Sequence, residues 1–182
     1  MVSTDNSDRI DVVFSPEQIK QRIDALSATI AAAPCQRLLV IAILKGSFVF
    51  AADLIRSLHR VGLAPEVDFI TLSSYKERMK SSGFVEILRD VETDVKDRDV
   101  LLVDDILESG RTLAFAKDLL VARGANSVMT CVLLDKPGKR AVAIKADHCA
   151  FTCPDVFVVG YGMDLAHRYR ELPYVGQIVQ KS

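Results

Sequence analysis

The stretch "VLLVDDILESGRTL", Val100 to Leu113, ends an apolar run on two adjacent acids and then passes through Glu-Ser-Gly-Arg-Thr. The apolar residues have strand length and no alternation, so both faces of this strand should be buried, as in a parallel sheet covered by helices. "RTLAFAKDLLVARGA" follows as a helix, with Gly124 at its C-terminal cap. Two neighbouring carboxylates repel, and tolerating them at a strand end takes cations, hydroxyl donors or water. The N–H groups of a helix start, the hydroxyls of Ser109 and Thr112, and Gly110, which lets a ligand approach the backbone, together make a phosphate cradle. Asp104 and Asp105 cannot hold the same phosphate. They suit sugar hydroxyls or Mg²⁺. The combination reads as a site for a ribose 5-phosphate moiety. The plainer alternative is that the acids cap the helix and Ser-Gly is only a turn.

The pattern repeats on either side. "FSPEQIKQRIDALSATIAAAP" predicts a helix with Ser15 as N-cap, Pro16 in the first turn and Gln18 completing a capping box. Ile19, Ile23, Leu26 and Ile30 form its apolar face. "RLLVIAIL" is a second buried strand, "SFVFAADLIRSLHRV" a helix stopped by Gly62, and "EVDFITLSSY" a third strand. "YKERMKSSGFVEIL" reads as a loop or mobile hairpin, "SVMTCVLLDK" as another strand, and "HCAFTC" and "DVFVVGYG" as shorter ones. "GQIVQ" reads as a last edge strand. Alternating strands and helices predict an α/β fold with a central, mainly parallel sheet. In such sheets ligands bind beyond the carboxyl ends of the strands. Those ends are Leu44 to Ser47, Asp104 to Thr112, Asp135 to Pro137, and Gly160 to Asp164.

The composition excludes several classes. With 182 residues, 49% apolar, 26% charged and a net charge of −1, the chain reads as one domain with a real core and no basic excess for nucleic acid. The apolar segment around residues 38–55 is broken by Lys45 and Asp53, so no membrane span is expected. The N-terminal stretch carries acids and no apolar signal core. Cys35, Cys131, Cys149 and Cys153 form no CxxC and are expected to be reduced thiols, and the three histidines have no metal-ligand spacing. A cytoplasmic protein is expected.

"VLLVDDILESGRTL" resembles the phosphoribosyl-pyrophosphate signature of the type I phosphoribosyltransferases. "ILKGSFVFAADLIR", "VDFITLSSY", "LLDKP", "PDVFVVGYGMD" and "YRELPYVG" resemble, in order, segments of the hypoxanthine-guanine phosphoribosyltransferases, over about Leu38 to Ile178. The resemblance implies the type I fold over residues 1–182, with a mobile lid at about 73–88. A small hood, mainly 135–182 with the N-terminal segment, would cover the base. It implies transfer of a phosphoribosyl group from phosphoribosyl pyrophosphate to N9 of a 6-oxopurine, with Mg²⁺ and a homodimer or homotetramer.

By resemblance, Asp104 and Asp105 would contact the ribose hydroxyls and their Mg²⁺, and Ser109, Gly110, Arg111 and Thr112 the 5′-phosphate. Lys45 and Gly46 match the pyrophosphate loop, which often holds a non-proline cis peptide, here Leu44–Lys45. Lys136 matches the donor to the purine 6-oxygen, Phe157 the aromatic that stacks on the base, and Val158 the backbone at the base edge. Asp164 matches a second Mg²⁺ ligand and Arg170 a pyrophosphate contact. Ser74 and Tyr75 match the Ser-Tyr of the closing lid. Glu108 departs from the family, which usually has Asp there facing purine N7 as a general base or acceptor. It keeps the carboxylate and lengthens it by a methylene. The rival reading is a non-catalytic regulator of the same fold that binds nucleotide or RNA.

Overall fold

The computed structural model describes residues 9–35, 37–74 and 85–179. Tyr75 and most of the expected lid lie outside them.

The strands β2 (Leu39–Leu44), β3 (Glu66–Ser74), β4 (Val85–Arg89), β5 (Asp99–Leu107), β6 (Ser127–Asp135) and β7 (His148–Thr152) form one sheet in the order β4-β3-β2-β5-β6-β7. β4 is antiparallel to β3, and every other pair is parallel. β4 thus returns beside β3, and residues 75–84 between them lie outside the described residues.

Side chains alternate across a strand, and here both alternations are buried. Val40, Ala42, Leu101, Val103, Cys131 and Leu133 face α1 (Pro16–Ala32) and α2 (Phe48–Arg60), where Ile19, Ile23, Ile30, Phe50, Leu54 and Leu58 complete one core. Leu39, Ile41, Val100, Leu102 and Val132 join a second core with Leu113, Ala116 and Leu120 of α3 (Arg111–Ala122). Two-sided burial is why these strands read as continuous apolar runs.

Local signals set the helix boundaries. Ser15 caps α1: its Oγ accepts from the Gln18 N–H at 3.3 Å, and the Gln18 side chain accepts from the Ser15 N–H at 2.8 Å. Gly62 and Gly124 follow α2 and α3 at positive φ, 91° and 85°.

Two expectations are corrected. "GQIVQ" lies in β9 (Val175–Val179), which is no edge strand. It is the middle of a second, three-stranded antiparallel sheet, in the order β1-β9-β8, between β1 (Arg9–Phe14) and β8 (Val158–Val159). β1 has no counterpart in the sequence reading, because its half-exposed "RIDVVF" carries Arg9 and Asp11 and lacks a clean apolar face. The acid pair also does not terminate its strand. β5 runs through Asp104 and Asp105 to Leu107, because pairing with β6 continues to Leu107 opposite Asp135.

Removing the α1 cap tests the local account. Ser15→Ala should lower unfolding free energy by about 1 kcal/mol in urea titrations and leave the fold intact.

Candidate active site

The ends of β2, β5 and β6 lie side by side, so the loops after them converge. Asp104 lies between its strand neighbours and is 6% exposed. Its Oδ1 accepts from the Asp105 N–H at 3.0 Å, and Asp105 Oδ1 accepts from the Ile106 N–H at 2.9 Å. Burial pushes the Asp104 carboxyl well above the ordinary carboxylate range, and the neighbouring Asp105 charge adds to it.

After Leu107 the chain turns through Glu108 and Ser109. Gly110 has φ +82°, and a Cβ there would lie 2.7 Å from the Ile144 side chain and 3.0 Å from the Val142 carbonyl, so glycine is needed twice over. α3 starts at Arg111 with no side-chain cap. As N-cap, Gly110 offers the first-turn N–H groups no side chain, and the Arg111 N–H donates to Ser109 Oγ at 3.4 Å; with the Thr112 hydroxyl alongside, this is a donor arrangement an anion site can use. The Ser109 carbonyl accepts from the Ala141 and Val142 N–H groups at 2.9 and 3.1 Å. The segment after β6 thus braces the loop at Ser109 from outside. Nothing in the sequence points to this, since the contact joins residues about thirty apart with no shared pattern.

The Leu44–Lys45 peptide is cis, and Lys45 is exposed. Gly46 is hemmed in on two sides. A Cβ on it would lie 1.8 Å from Asp105 Oδ2, and its own carbonyl oxygen lies 2.3 Å from where a Cβ on Gly162 would stand.

Lys136 follows β6, with its N–H bonded to the Leu107 carbonyl at 2.9 Å. It is 6% exposed, and its Nζ reaches Glu108 Oε1 at 3.2 Å. A buried ammonium needs such a partner. Phe157 is exposed and Val158 buried at the start of β8. Asp164 accepts from the His167 N–H at 2.8 Å, and its other oxygen pairs with Arg170 at 2.8 Å. Arg170 also donates to the Gly162 carbonyl.

Two adjoining clefts gather these groups. One, of about 320 Å³, holds Lys45, Gly46, Asp104, Asp105, Glu108, Ser109, Gly110 and Thr112. The other, of about 400 Å³, holds Phe157, Val158, Asp164 and Arg170 and shares Lys45, Gly46 and Asp105 with the first. The loop at Lys45–Gly46 is the ridge between them. Lys136 enters through its pairing with Glu108. Arg111 is exposed at the start of α3 and lines neither cleft. The backbone of Ser74 closes β3, and Tyr75 lies outside the described residues.

Among the described residues, no three His, Cys, Asp or Glu side chains converge as a metal cage. The acid pair and Asp164 offer hard oxygen donors in ones and twos. That set fits Mg²⁺, which binds through one or two carboxylates with substrate oxygens and water completing its shell.

Comparison with known proteins agrees with this geometry. Residues 12–166 match the phosphoribosyl transferase domain. The hypoxanthine phosphoribosyltransferase of Salmonella typhimurium is 42% identical over 173 residues, 93% of this chain and 96% of that protein. The hypoxanthine-guanine phosphoribosyltransferase of Bacillus subtilis is 43% identical over 166 residues, 91% of each. A hypoxanthine-guanine phosphoribosyltransferase structure from Bacillus anthracis has a TM-score of 0.87 at 39% identity, covering 94% of this chain and 100% of that one. With the domain match spanning most of its length and relatives more than 40% identical over nine-tenths of it, the chain belongs to the phosphoribosyl transferase domain family.

Proposed function

We propose that this protein works in purine salvage. It transfers the 5-phosphoribosyl group of phosphoribosyl pyrophosphate to N9 of hypoxanthine or guanine, giving IMP or GMP and pyrophosphate. The observation that carries this reading is the pair of buried Lys136 with half-buried Glu108, 3.2 Å apart, beside the start of α3 at Gly110 and Arg111. It sets a cationic donor and a carboxylate acceptor next to a phosphate cradle. The relatives' names, hypoxanthine and hypoxanthine-guanine phosphoribosyltransferase, support the same substrates.

The roles follow from chemistry. The first-turn N–H groups of α3 with Ser109 and Thr112 hold the 5′-phosphate, Gly110 lets it approach, and Arg111 adds positive charge at the mouth. Asp104 and Asp105 accept from the ribose hydroxyls. Lys45, the Gly46 backbone and the remaining donors of Arg170 face the pyrophosphate. Asp104, Asp105 and Asp164 would hold Mg²⁺, which neutralises charge building on the leaving pyrophosphate.

Phe157 stacks on the purine, and the Val158 backbone meets its edge. Lys136 donates to the 6-oxygen. Glu108 accepts from N7–H and takes that proton as N9 bonds to the ribose. The hood formed by β1, β8 and β9 covers the base. Ser74 and Tyr75 belong to the lid that closes over the reacting atoms. A cytoplasmic homodimer or homotetramer completes the reading, and the four free thiols are consistent with a reducing compartment.

A spectrophotometric assay of each purine with phosphoribosyl pyrophosphate and Mg²⁺ tests the reaction. Hypoxanthine and guanine should be turned over and adenine should not, because an amino group in place of the 6-oxygen sets a donor against the Lys136 ammonium and offers it no acceptor. Comparable turnover of adenine would sink the base-site assignment. Across Glu108 variants, turnover should fall in the order Glu or Asp, then Gln, then Ala. Loss of the proton acceptor should cost about 10²–10⁴-fold, with little change in affinity for phosphoribosyl pyrophosphate.

The acid pair carries a stability cost with a definite sign. The Asp104 carboxyl is held above its ordinary value of 3.8, so the folded protein binds that proton more tightly than the unfolded chain. The stability from this group is complete below that value and is lost as pH rises toward the raised folded one. Asp104→Asn should therefore raise the Tm of the ligand-free protein more at pH 8 than at pH 4, by about 2–4 °C for each kcal/mol recovered. Scanning calorimetry at the two pH values checks this.

A further inference from the structure

The turn between β8 and Asp164 is pinned at many points. Gly160 and Met163 exchange backbone hydrogen bonds at 3.0 and 3.1 Å, the Tyr161 N–H donates to the Leu172 carbonyl at 2.8 Å, and the Gly162 N–H to the Arg170 carbonyl at 3.0 Å. Gly160, Tyr161 and Gly162 all have positive φ, at 92°, 50° and 100°. For a bulky residue such as Tyr161 that backbone persists only when its surroundings hold it there.

What holds Tyr161 is its side chain. The residue is 5% exposed, and its hydroxyl donates to Asp53 Oδ2 on α2. Asp53 is itself paired with Arg56 one turn further along α2. α2 starts directly after the pyrophosphate loop, with the Phe48 N–H bonded to the Lys45 carbonyl at 3.3 Å. The backbones also touch at Gly162 and Gly46, as the 2.3 Å approach shows. The turn that carries Asp164 and the loop that carries Lys45 are therefore stacked, and the Tyr161–Asp53 hydrogen bond fastens one to the helix that anchors the other.

We infer that Tyr161 is a positioning residue for the pyrophosphate half of the site, setting the spacing between Lys45–Gly46 and Asp164–Arg170 through its hydroxyl on Asp53. It touches no substrate. The hydroxyl stays protonated at any working pH, because burial and the Asp53 carboxylate both push its pKa up. The link is a fixed strut that does not titrate. Lys136 and Glu108, which read the edge of the base, follow β6 and β5 and should not sense it. The inference rests on the phosphoribosyl-transfer reading given above.

The test is Tyr161→Phe, which removes one oxygen and keeps the ring. KM for phosphoribosyl pyrophosphate should rise about tenfold, the size of a lost hydrogen bond to a charged acceptor. The KM for hypoxanthine should stay near that of the parent. Calorimetric titration with pyrophosphate and Mg²⁺ should show the same weakening without turnover. Asp53→Ala should reproduce the effect, Asp53→Asn, which can still accept, should restore most of the affinity, and the double variant should be no worse than either single one. If Tyr161→Phe lowers only Tm, with KM for phosphoribosyl pyrophosphate and pyrophosphate affinity unchanged, Tyr161 is merely structural and the inference falls. Equal rises in both KM values overturn it as well. A parent protein that turns over no purine removes the phosphoribosyl-transfer reading and this inference together. Parent turnover with an unaltered Tyr161→Phe removes the inference alone.

Discussion

The parallel ladder of β2, β5 and β6 is the constraint on which the rest depends. Leu39 lies opposite Val100 and Ala42 opposite Val103, while Asp104 pairs with Val132 and Leu107 with Asp135. Because helices cover both faces, a one-residue slip would exchange the two cores and expose every side chain to the wrong partners. The register is therefore fixed, and with it the level at which each strand ends. The loop at Lys45–Gly46, the acid pair, the loop at Glu108–Gly110 and Lys136 meet because three strands stop within a few residues of one another.

Several groups at that edge would be poor choices on stability grounds alone. A carboxyl sits buried beside a second carboxyl, a lysine is buried against a glutamate, and an aromatic residue lies exposed at the start of β8. Each is stabilised only in part by its surroundings. Local cost concentrated at one end of an otherwise apolar sheet is what a site built to take up charged ligands requires.

The legibility of the sequence follows the range of the interactions. Strands buried on both faces announce themselves as apolar runs, and the capping box at Ser15 and Gln18 lies within four residues. "DDILESGRT" is legible because two adjacent acids, a glycine and paired hydroxyls have few structural uses together. Of the small sheet, β8 and β9 are legible as strand segments within "DVFVVGYG" and "GQIVQ", but their pairing is not, because the partners lie at opposite ends of the chain, and β1 is not legible because charged residues blur its alternation. The Tyr161–Asp53 bond spans 108 residues and the brace from Ala141 and Val142 onto Ser109 about thirty. Neither leaves a periodic trace, because both depend on where the fold places two unrelated loops.

The pairing of Arg9 with Val179 has a consequence for biosynthesis. β1 can find its partner only after nearly all of the intervening chain has been made, roughly 10–30 s later at translation rates of 5–20 residues per second. During that interval it is an unpaired, β-rich segment, open to pairing with a neighbouring nascent chain. Arg9 and Asp11 interrupt it with charges of opposite sign, bonded to each other at 3.0 Å in the finished protein. Charges within such a segment disfavour that pairing. The parallel sheet can assemble from contacts already synthesised, whereas the small antiparallel sheet is the last part of the molecule to close.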